Sequence, residues 1–578
     1  MDKSLFTYIV LLLFLSSSQV GSGGEAWHLR WWIMGPLRWM LMTLALCSSL
    51  AEPESDVSWK LPEFGDVYHV AGTIQLPFAE IEEPFEAWYN LTAKKSCIQY
   101  YHGQVVTYQM ETDGPWGANY KITPETTETE VNVRTCFQIN GTVESPVAPQ
   151  SVFPNMDGFR PVRKENYKGL DCSVWQNVTY WGTKKNIYTL WVSNSENGSV
   201  PVRYEMRGLN NLMGSHYDKY NIDYHGFSHS FLPSALDLPK EVKCKTPPGQ
   251  RDEHLILANP MQDFVSKGVD RGHGLFHHYR KKYKKTYISE QEIEQRANTF
   301  IHNMRFVHSK NRANLSFKLT LNHLADHTPE ELAAMKGLLE DKTPNDGESF
   351  PLELYSGIIL PESLDWRLYG AVTPVKDQAM CGSCWSFAAT GTLEGALFLQ
   401  TGKLTALSQQ ALMDCSWGFG NFGCDGGLAW RAFKWAKEHG GVPSTESYGP
   451  YSGQNGYCHY NQSEFLGNVS GYVSIPYGNI MALKQAVVKN GPIAVSIHAS
   501  PKSFMFYANG VYYDSECGNS TTLNHGVLVV GYGVLQGQPY WLIKNSWSTF
   551  WGNDGYILLS MKDNNCGVAN AALYPILE

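Results

Sequence analysis

The fold of this chain is constrained most by a change of pattern near residue 250. Before it, stretches such as HVAGTIQLPF, CIQYYHGQVVTYQM and VNVRTCFQI are rich in β-branched and aromatic residues. They are separated by Gly, Asn and Pro, which is typical of antiparallel strands. After it, the stretch 285–316 contains neither Gly nor Pro and is predicted to be helical. Since 578 residues are too many for one hydrophobic core, we expect two or three domains.

The pattern predicts a β-rich N-terminal domain over residues 52–250, with four cysteines that staple it. Three connectivities are open to four cysteines. We predict that sequence neighbours pair, Cys97 with Cys136 and Cys172 with Cys244. The many aromatic residues suggest a groove or half-open barrel for an apolar or glycan ligand, and a folding or docking module is the plainer alternative.

The first 51 residues carry the pattern of export signals. Lys3 precedes the apolar run LFTYIVLLLFL, and a second basic and apolar segment runs from Met34 to Ala51. Met34 is therefore an alternative start of the chain. Neither run approaches the ~20 apolar residues of a membrane span. We expect no membrane span and a soluble protein of the secretory pathway, either lysosomal or extracellular.

Glycosylation sites and cysteines agree with a secretory route. Twelve cysteines suit an oxidising compartment, since all but one in the signal region and one free nucleophile can pair. Eight Asn-x-Ser/Thr sites are spread over the chain. They are Asn90, Asn140, Asn177, Asn197, Asn314, Asn461, Asn468 and Asn519.

The charge balance argues against a nucleic-acid partner. A net charge of −9 is spread over the whole chain. The basic cluster YRKKYKK at 279–285 is short and is predicted to be a solvated helix face. No second close Cys or His pair stands at the spacing of a zinc site. We expect no nucleic acid, no metal and no cofactor.

Residues 251–358 are predicted to form a helical segment. Six of them share one face of an ideal helix. They are Glu292, Arg296, Phe300, Asn303, Val307 and Asn311. The text LTLNHLADHTPEEL then predicts a short strand and a helix capped at Thr328. KTPNDGES at 342–349 is a polar, turn-rich link and a plausible place for proteolysis.

The chemistry concentrates in residues 359–578, first in the segment QAMCGSCWSF. Its two cysteines, Cys381 and Cys384, fit a redox couple, half of a metal site, or a nucleophile beside a structural cysteine. The run SCWSFAATGTLEGALFL has few breakers and apolar residues at helical spacing. This places Cys384 at a helix N-terminus, where the helix dipole and unpaired N–H groups favour a thiolate.

Two later segments offer partners for such a thiolate. A nucleophilic thiolate needs a general base or an imidazolium beside it. LNHGVLVVGYG places His525 at the head of a strand, and YWLIKNSWSTFWG places Asn545 after another strand. Because His525 stands between the segments of Cys384 and Asn545, we expect it to be catalytic rather than an ordinary structural histidine.

Together these segments resemble the papain-like cysteine peptidases, most closely those of cathepsin L type, over about residues 270–578. The C-G-[SA]-C-[WY] signature, with His and Asn far downstream, is an established mark of that family. The resemblance implies an α+β fold, in which a helical pro-region precedes a peptidase with a helical and a β-barrel-like lobe. It implies a cysteine endopeptidase made as a zymogen, with its own pro-region as inhibitor and with proteins and peptides as substrates.

The resemblance assigns roles to the catalytic residues. Cys384 corresponds to the nucleophile, His525 to the base and acid, and Asn545 to the residue that orients the imidazole. Gln378 corresponds to the side-chain donor of the oxyanion hole, together with the backbone N–H of Cys384. Trp547 covers the Asn–His hydrogen bond, which is stronger when shielded from water. Hydrolysis then proceeds through an acyl-enzyme.

The resemblance also implies a peptide-binding cleft. Gly426 and Gly427 form a wall that a peptide backbone can approach. The residues at the positions of the S2 pocket are Leu428, Ala429, Ala494, Asn524 and Ala571. They are small or apolar, which predicts a preference for bulky hydrophobic P2 side chains. No occluding loop follows Cys384, which favours endopeptidase over exopeptidase activity.

The resemblance further implies three disulfides, which leave Cys384 unpaired. They are Cys381–Cys424, Cys415–Cys458 and Cys517–Cys566. The chain departs from the family pattern at Gln409, where Glu is common, and at Phe550 and Ser548, where glycines are common. Gln409 removes one buried charge partner.

The helix face at 292–311 and the text LTLNHLADHT resemble the pro-region motifs of cathepsin L-type zymogens. Asn322 and Asp326 are kept, while Thr320 and Leu324 replace the usual Gly and Phe. Such a pro-region lies backwards through the cleft and is removed at acid pH.

The β-rich leader resembles that of insect haemocyte cysteine proteinases, which are found as two chains. This implies that the leader stays attached non-covalently after processing. The alternative is a ligand-binding or adhesion protein that acts through its β domain, with the peptidase as an accessory.

Overall fold

The computed structural model of the chain describes residues 59–578, apart from short gaps. The gaps are 127–131, 196–197, 212–213, 241, 249–250, 267–270, 341–345, 356 and 519. The predicted export signals in residues 1–51 lie outside the described residues, as do residues 342–345 of the predicted link.

The first part of the chain forms one sheet of twelve strands, which we call the leader sheet. Its strands are β1 (Val67–Leu76), β2 (Ile81–Asn90), β3 (Lys95–Tyr100), β4 (Val105–Met110), β5 (Ala118–Glu125), β6 (Val133–Asn140), β7 (Arg160–Tyr167), β8 (Leu170–Trp181), β9 (Lys184–Ser195), β10 (Gly198–Asn210), β11 (Ser215–Ser228) and β12 (Cys244–Lys245). The spatial order is β12-β6-β5-β4-β3-β2-β1-β11-β10-β9-β8-β7. Neighbours pair antiparallel, except that β12 lies parallel to β6. The expectation of an antiparallel β region is confirmed.

Strand β1 shows how residue alternation builds this sheet. Its sequence VYHVAGTIQL alternates between buried and partly buried positions along its whole length. Val70 and Ile74 are fully buried in the core on one side. Gly72 lies on the same side, and a Cβ there would come within 2.5 Å of the ring of Phe85. The position therefore requires glycine.

The cysteines of the leader sheet pair differently from our prediction. A disulfide joins Cys136 in β6 to Cys244 in β12, whose Cα atoms are 4.4 Å apart. The two face each other because the chain returns after β11 and adds β12 beside β6. Cys97 in β3 and Cys172 in β8 are buried free thiols. The predicted pairs Cys97–Cys136 and Cys172–Cys244 are therefore wrong, since strand order rather than sequence proximity selects the partners.

The segment after the leader sheet is mainly helical. Its helices are α1 (Arg251–Ala258), α2 (Gln262–Val265), α3 (Arg271–Lys282), α4 (Glu290–Arg312) and α5 (Pro329–Ala334), and its strands are β13 (Phe317–Leu319) and β14 (Glu348–Ser349). Helix α4 begins where the side chain of Ser289 accepts the N–H of Glu292. The predicted cap of α5 is confirmed, since Thr328 and Glu331 form a capping box.

The last part of the chain combines helices with a sheet. Its helices are α6 (Cys384–Thr401), α7 (Gln409–Cys415), α8 (Ala429–His439), α9 (Thr445–Tyr448), α10 (Ile480–Asn490) and α11 (Lys502–Met505). Its strands are β15 (Leu364–Asp365), β16 (Val442–Pro443), β17 (Phe465–Leu466), β18 (Val469–Ser474), β19 (Ile493–Ile497), β20 (Tyr507–Tyr512), β21 (His525–Leu535), β22 (Gln538–Lys544), β23 (Tyr556–Ser560) and β24 (Ala572–Leu577). Helix α6 is buried along most of its length and packs against β21, β24 and α8.

The main sheet of this part has the order β13-β20-β23-β22-β21-β19-β24-β18-β14, with β15 beside β21. Its two outermost strands, β13 and β14, come from the preceding helical segment. Residues Pro62–Glu578 form one compact unit. The domain limits at 250/251 and 358/359 remain predictions inside it. Among the described helices, none has the length and apolar character needed to cross a membrane.

The predicted glycosylation sites differ in exposure. Asn177 is only 8% exposed, and its Nδ2 donates to the carbonyl oxygen of Asp157 at 3.2 Å. A glycan on that nitrogen would break this contact, so the folded structure argues against Asn177. Asn197 and Asn519 lie outside the described residues. The remaining sites are exposed or half-buried, namely Asn90, Asn140, Asn314, Asn461 and Asn468.

Candidate active site

The predicted nucleophile, Cys384, is the first residue of helix α6. Its side chain is fully buried and takes part in no disulfide. The backbone N–H groups of Gly526, Gly337 and Trp385 favour the negative sulfur and lower the pKa of its thiol. Burial raises the pKa of the Cys384 thiol, and these donors offset that shift only in part. In this closed state the thiol is therefore protonated at neutral pH.

His525 is placed by the start of β21, which packs on the first turn of α6. A Cβ on Gly526 would lie 3.3 Å from both the carbonyl oxygen of Cys384 and the Cα of Trp385. A larger residue would push the strand, and His525 with it, away from the helix.

Asn545 holds the imidazole of His525. Nε2 of His525 lies 2.8 Å from Oδ1 of Asn545. The buried indole of Trp547 lies against the ring, with 4.6 Å between the centroids. Nδ1 has no hydrogen-bond partner among the described residues, so it is available to exchange a proton. Burial lowers the pKa of His525 to about 4, an effect that the hydrogen bond to Asn545 opposes and Lys336 reinforces.

The side-chain amide of Gln378 is fixed in direction. Its Oε1 accepts from the hydroxyl of Ser546 at 2.6 Å. This turns Nε2 toward the cleft, where it donates to the carbonyl oxygens of Met335 at 2.8 Å and Cys381 at 2.6 Å. The predicted oxyanion donor is therefore occupied by a backbone carbonyl that follows helix α5.

The segment after α5 fills the cleft. Leu338 pairs with Gly427 in parallel, through bonds from Gly427 N–H to the Gly337 carbonyl at 2.9 Å and from Leu339 N–H to the Gly427 carbonyl at 3.4 Å. A Cβ on Gly337 would lie 1.7 Å from the carbonyl oxygen of Gly382. Glycine is therefore required where the segment crosses the nucleophile. Gly426 has φ of 116°, so it too favours glycine.

Four of the five residues predicted for S2 line one cavity of about 490 Å³. They are Leu428, Ala429, Ala494 and Ala571. Asn524 does not line it, since its side chain is engaged by Ser500 and by the backbone N–H of Ala499. Instead, the carbonyl oxygen of Asn524 accepts from Leu338 N–H at 3.2 Å. Leu339 also lines the cavity and belongs to the segment in the cleft.

Three disulfides frame this part of the chain. They are Cys381–Cys424, Cys415–Cys458 and Cys517–Cys566, the pairs that the resemblance implies. Among the described residues there is no group of His, Cys, Asp and Glu side chains that could hold a metal ion.

The predicted face of α4 packs on the segment that leads to the cleft. Arg296 donates to Glu331 at 2.7 Å, and Asn303 donates to the carbonyl oxygen of Ala325 at 2.9 Å. We call this the inner face of α4. Of its other members, Asn311 contacts the same segment, Phe300 and Val307 are buried, and Glu292 pairs with Arg296.

Asp326 anchors the same segment. Its carboxylate accepts from the hydroxyls of Tyr279 at 2.6 Å and Tyr287 at 2.7 Å and pairs with Lys285 at 3.0 Å. Burial alone would raise the pKa of Asp326, but the bonds from His327 and Tyr279 and the charge of Lys285 hold it well below its ordinary value.

Sequence reasoning missed the residues that block the cleft. Met335, Gly337 and Leu338 follow the capped helix α5 directly, and a glycine just after a helix was the available signal. It also missed a second polar face of α4, which was visible as residues at helical spacing.

Two family models match this chain. The one described as papain family cysteine protease matches residues 360–576, and the one described as cathepsin propeptide inhibitor domain (I29) matches residues 276–332. The first match carries the cleft, and the second carries helix α4 and the start of helix α5, which lead to the segment in the cleft.

Individual proteins give the same result. A cathepsin L-like peptidase of Aedes aegypti is 41% identical over 312 residues, which is 52% of this chain and 91% of that protein. Cathepsin L of Sarcophaga peregrina is 41% identical over 314 residues, with the same coverage of 52% and 91%. The solved structure of the digestive procathepsin L2 proteinase from the Tenebrio molitor larval midgut has a TM-score of 0.50 and 33% identity. That match covers 53% of this chain and 100% of the solved chain.

Proposed function

Because this chain belongs to the papain family of cysteine proteases, as a cathepsin L-like endopeptidase made as a zymogen, we propose that Cys384, His525, Asn545 and Gln378 carry out its catalysis. The observation that supports this is the bond of 2.8 Å from His525 to Asn545, with the start of β21 packed on the helix turn that carries the buried Cys384. The alternative of a ligand-binding or adhesion protein is not favoured.

In the proposed reaction, the Cys384 thiol gives its proton to His525 Nδ1 and attacks the carbonyl carbon of the scissile peptide bond. Gln378 Nε2 and the backbone N–H of Cys384 stabilise the negative oxygen of the tetrahedral intermediate. His525 then protonates the leaving amine, and the C–N bond breaks to give a thioester. Water, deprotonated by His525, hydrolyses the thioester and returns the thiol.

The pro-region, 251–358 in our prediction, keeps this machinery latent. The Met335 carbonyl takes the bond from Gln378 that an oxyanion would need, and Gly337 covers the sulfur. Leu338 pairs with Gly427 in parallel. This supports a direction of the pro-region through the cleft that is opposite to that of a peptide that pairs antiparallel with Gly427. Burial under this segment also favours neutral Cys384 and His525 over an ion pair.

The S2 cavity supports a preference for bulky hydrophobic P2 residues. Leu428, Ala429, Ala494 and Ala571 line it without an acidic group among them. We expect fluorogenic peptides with Leu or Phe at P2 to be cleaved with at least about tenfold higher kcat/KM than those with Arg, since a cation would be desolvated there. Equal rates would contradict this proposal.

Substitution of the nucleophile tests the catalytic proposal. We expect Cys384→Ser in the processed enzyme to abolish peptide hydrolysis and labelling by an active-site thiol trap. Cys172→Ser is the matched control, because Cys172 is another buried free thiol and lies in the leader sheet. Hydrolysis and labelling that both survive Cys384→Ser would overturn the assignment.

The predicted signals, glycosylation sites and disulfides support passage through the secretory pathway to lysosome or exterior. The leader sheet is proposed to stay attached non-covalently after processing. N-terminal sequencing of the mature chains tests both proposals.

A further inference from the structure

Helix α4 has a second set of residues on the side opposite to the inner face. At about 100° per residue, the centres of the two sets lie about 180° apart. We call the second set the outer face of α4. Its members are Glu294, Asn298, His302, Arg305, Ser309 and Arg312. All are polar or charged, which on an isolated helix would indicate a solvated side.

The outer face is instead covered by the leader sheet. Its last turn holds a buried ion pair, in which Arg312 donates through Nε to Glu83 Oε1 at 2.6 Å and through Nη2 to Oε2 at 2.7 Å. Glu83, in β2, is 0% exposed and Arg312 is 6% exposed. The hydroxyl of Ser309 also donates to Glu83 at 2.6 Å, and the Arg312 guanidinium lies 5.4 Å from the ring centroid of Tyr100.

A second arginine, which is largely buried, repeats the arrangement two turns earlier. Arg305 donates through Nη1 to both carboxylate oxygens of Asp218 in β11, at 2.9 and 3.0 Å. It also pairs with Asp263 at 3.2 Å, and its guanidinium lies 5.7 Å from the ring centroids of Tyr220 and Phe264. The arginine is thus satisfied by charge and by aromatic faces.

The first turns of the outer face are held in the same way. Lys184 in β9 is 4% exposed and pairs with Glu294 at 3.0 Å, with Asn298 Oδ1 at 3.4 Å. His302 Nε2 hydrogen-bonds with the carbonyl oxygen of Tyr217 at 3.0 Å. The outer face therefore meets β2, β9 and β11 along its whole length.

The residues that follow α4 in the same segment contact the peptidase. Strand β13 pairs antiparallel with β20, and Asn322 donates to the carbonyl oxygen of Met505 at 2.8 Å. A cavity of about 790 Å³ lies where the leader part, the peptidase, helix α4 and the segment around α5 come together. Its lining includes His216 from the leader sheet, Phe78 from the turn between β1 and β2, and His498 and Lys502 from the peptidase.

We propose that the binding partner of the leader sheet is the outer face of the inhibitory helix α4, rather than the peptidase. The leader sheet then holds the inhibitor folded, and it stays bound to α4 when α4 leaves the peptidase. A two-chain form persists only while α4 remains docked on the peptidase. This inference rests on the proposal that the pro-region keeps the peptidase latent, but its test is a binding measurement that needs no catalysis.

The chemistry of the contact explains why it would be specific. Removal of one partner of a buried ion pair leaves the other charge unpaired in a dry site, which is strongly unfavourable. Removal of both charges is tolerated far better. Single and paired substitutions therefore separate this contact from general loss of folding.

The first experiment follows the three pieces of the full chain. A Cys384→Ala zymogen carries one engineered protease site at 249–250 and another at 342–345, and a tag at its C-terminus. After both cuts at neutral pH, the sample is acidified stepwise and passed over the tag resin. We expect the leader sheet and the piece with α4 to leave together at every pH. A leader sheet still retained by the peptidase after the piece with α4 has left would overturn the proposal.

The second experiment compares the two faces of α4 in the same cut zymogen. We expect Arg312→Gln to weaken the complex of leader sheet and α4 by on the order of a hundredfold. Adding Glu83→Gln to Arg312→Gln should recover most of that loss. Arg296→Gln, on the inner face, should leave this complex within about threefold of wild type, because Glu331 is not part of the leader sheet.

Should Arg312→Gln fail to fold, the first experiment on the unsubstituted outer face still decides the matter. Equal effects of Arg312→Gln and Arg296→Gln on the affinity of leader sheet for α4 would contradict the proposal. So would a double variant no tighter than the single one.

Discussion

The pro-region is bound on two sides by opposite kinds of contact. In the cleft it is held by its backbone, through the bonds of Gly337 and Leu339 with Gly427 and of Met335 with Gln378. On the leader sheet it is held by side chains, through buried pairs such as Glu83–Arg312. The contact in the cleft therefore depends on the shape of the bound backbone, and the contact with the leader sheet depends on charge pairing.

This difference suggests how latency and specificity are divided. Backbone pairing in the cleft can be replaced by any peptide that fits, as a protease with many substrates needs. Buried charge pairs admit few replacements, since an unmatched partner leaves a charge unpaired. The contact in the cleft can therefore be exchanged for one with a substrate, whereas the contact with the leader sheet is permanent.

The largest expected effect comes from a substitution in the cleft that leaves the contact between the pro-region and the leader sheet unchanged. His525→Ala in the processed enzyme should lower kcat/KM by on the order of 10⁴-fold, because proton transfer to and from the sulfur is lost. The circular dichroism and elution volume of the same variant as zymogen should match wild type. A loss below about tenfold would show that His525 is not the base.

Next in size is a substitution where the pro-region crosses the nucleophile. Gly337→Val should destabilise the closed state by about 2 kcal/mol, since its side chain would overlap the Gly382 carbonyl. We expect the fraction of zymogen labelled at Cys384 at neutral pH to rise roughly thirtyfold. Gly274→Ala is the matched control, because nothing lies within 4 Å of a Cβ there. Equal labelling of both variants would contradict the account.

A third substitution tests the anchor of the segment between the two sides. Asp326→Asn should lower the free energy of unfolding of the zymogen by about 2 kcal/mol at pH 7, since the partners of a buried carboxylate lose their acceptor. The pKa of Asp326 is held below its unfolded value of 3.8. Its stabilisation is therefore fully present above pH 3.8 and is lost as the pH falls through the folded pKa.

Urea unfolding at pH 7, 4.5 and 2.5 measures this. The gap between wild type and Asp326→Asn should be unchanged from pH 7 to 4.5 and smaller at pH 2.5. The exposed Glu290, replaced by Gln, serves as control and should show little change. A gap that widens on acidification would have the wrong sign for a carboxylate with a lowered pKa.

The smallest expected effect concerns a half-buried cation that is bonded to an amide oxygen instead of a carboxylate. Lys376 donates to the amide oxygen of Gln409 at 2.8 Å, and burial lowers the pKa of Lys376. The charged lysine is thus less stable in the fold than in the unfolded chain. Gln409→Glu should stabilise the processed enzyme by about 1 kcal/mol, or roughly 3 °C in Tm at pH 6.

The neighbouring residue supplies a control of opposite sign. Gln410 donates to Asp414 at 2.9 Å, so Gln410→Glu would place two carboxylates together and lower the Tm. If both variants shift the Tm in the same direction, pairing with Lys376 is not the cause.

Sequence predicted the peptidase better than the leader for a physical reason. Roles of Cys384 and His525 follow from short motifs, and the inner face of α4 follows from helical spacing. The Cys136–Cys244 bond could not be predicted, because it depends on β12 returning to β6 across the chain. The burial of the outer face could not be predicted either, since its polar residues indicate solvent until the strands that cover them are known.

The central prediction is that the pro-region seals Cys384 in the zymogen. Its most direct test is the rate of alkylation of Cys384 at neutral pH before and after processing, followed by mass spectrometry of the labelled peptide. Because the side chain is 0% exposed and its pKa is raised, we predict that labelling is at least about a hundredfold slower in the zymogen. Equal rates before and after processing would contradict the claim.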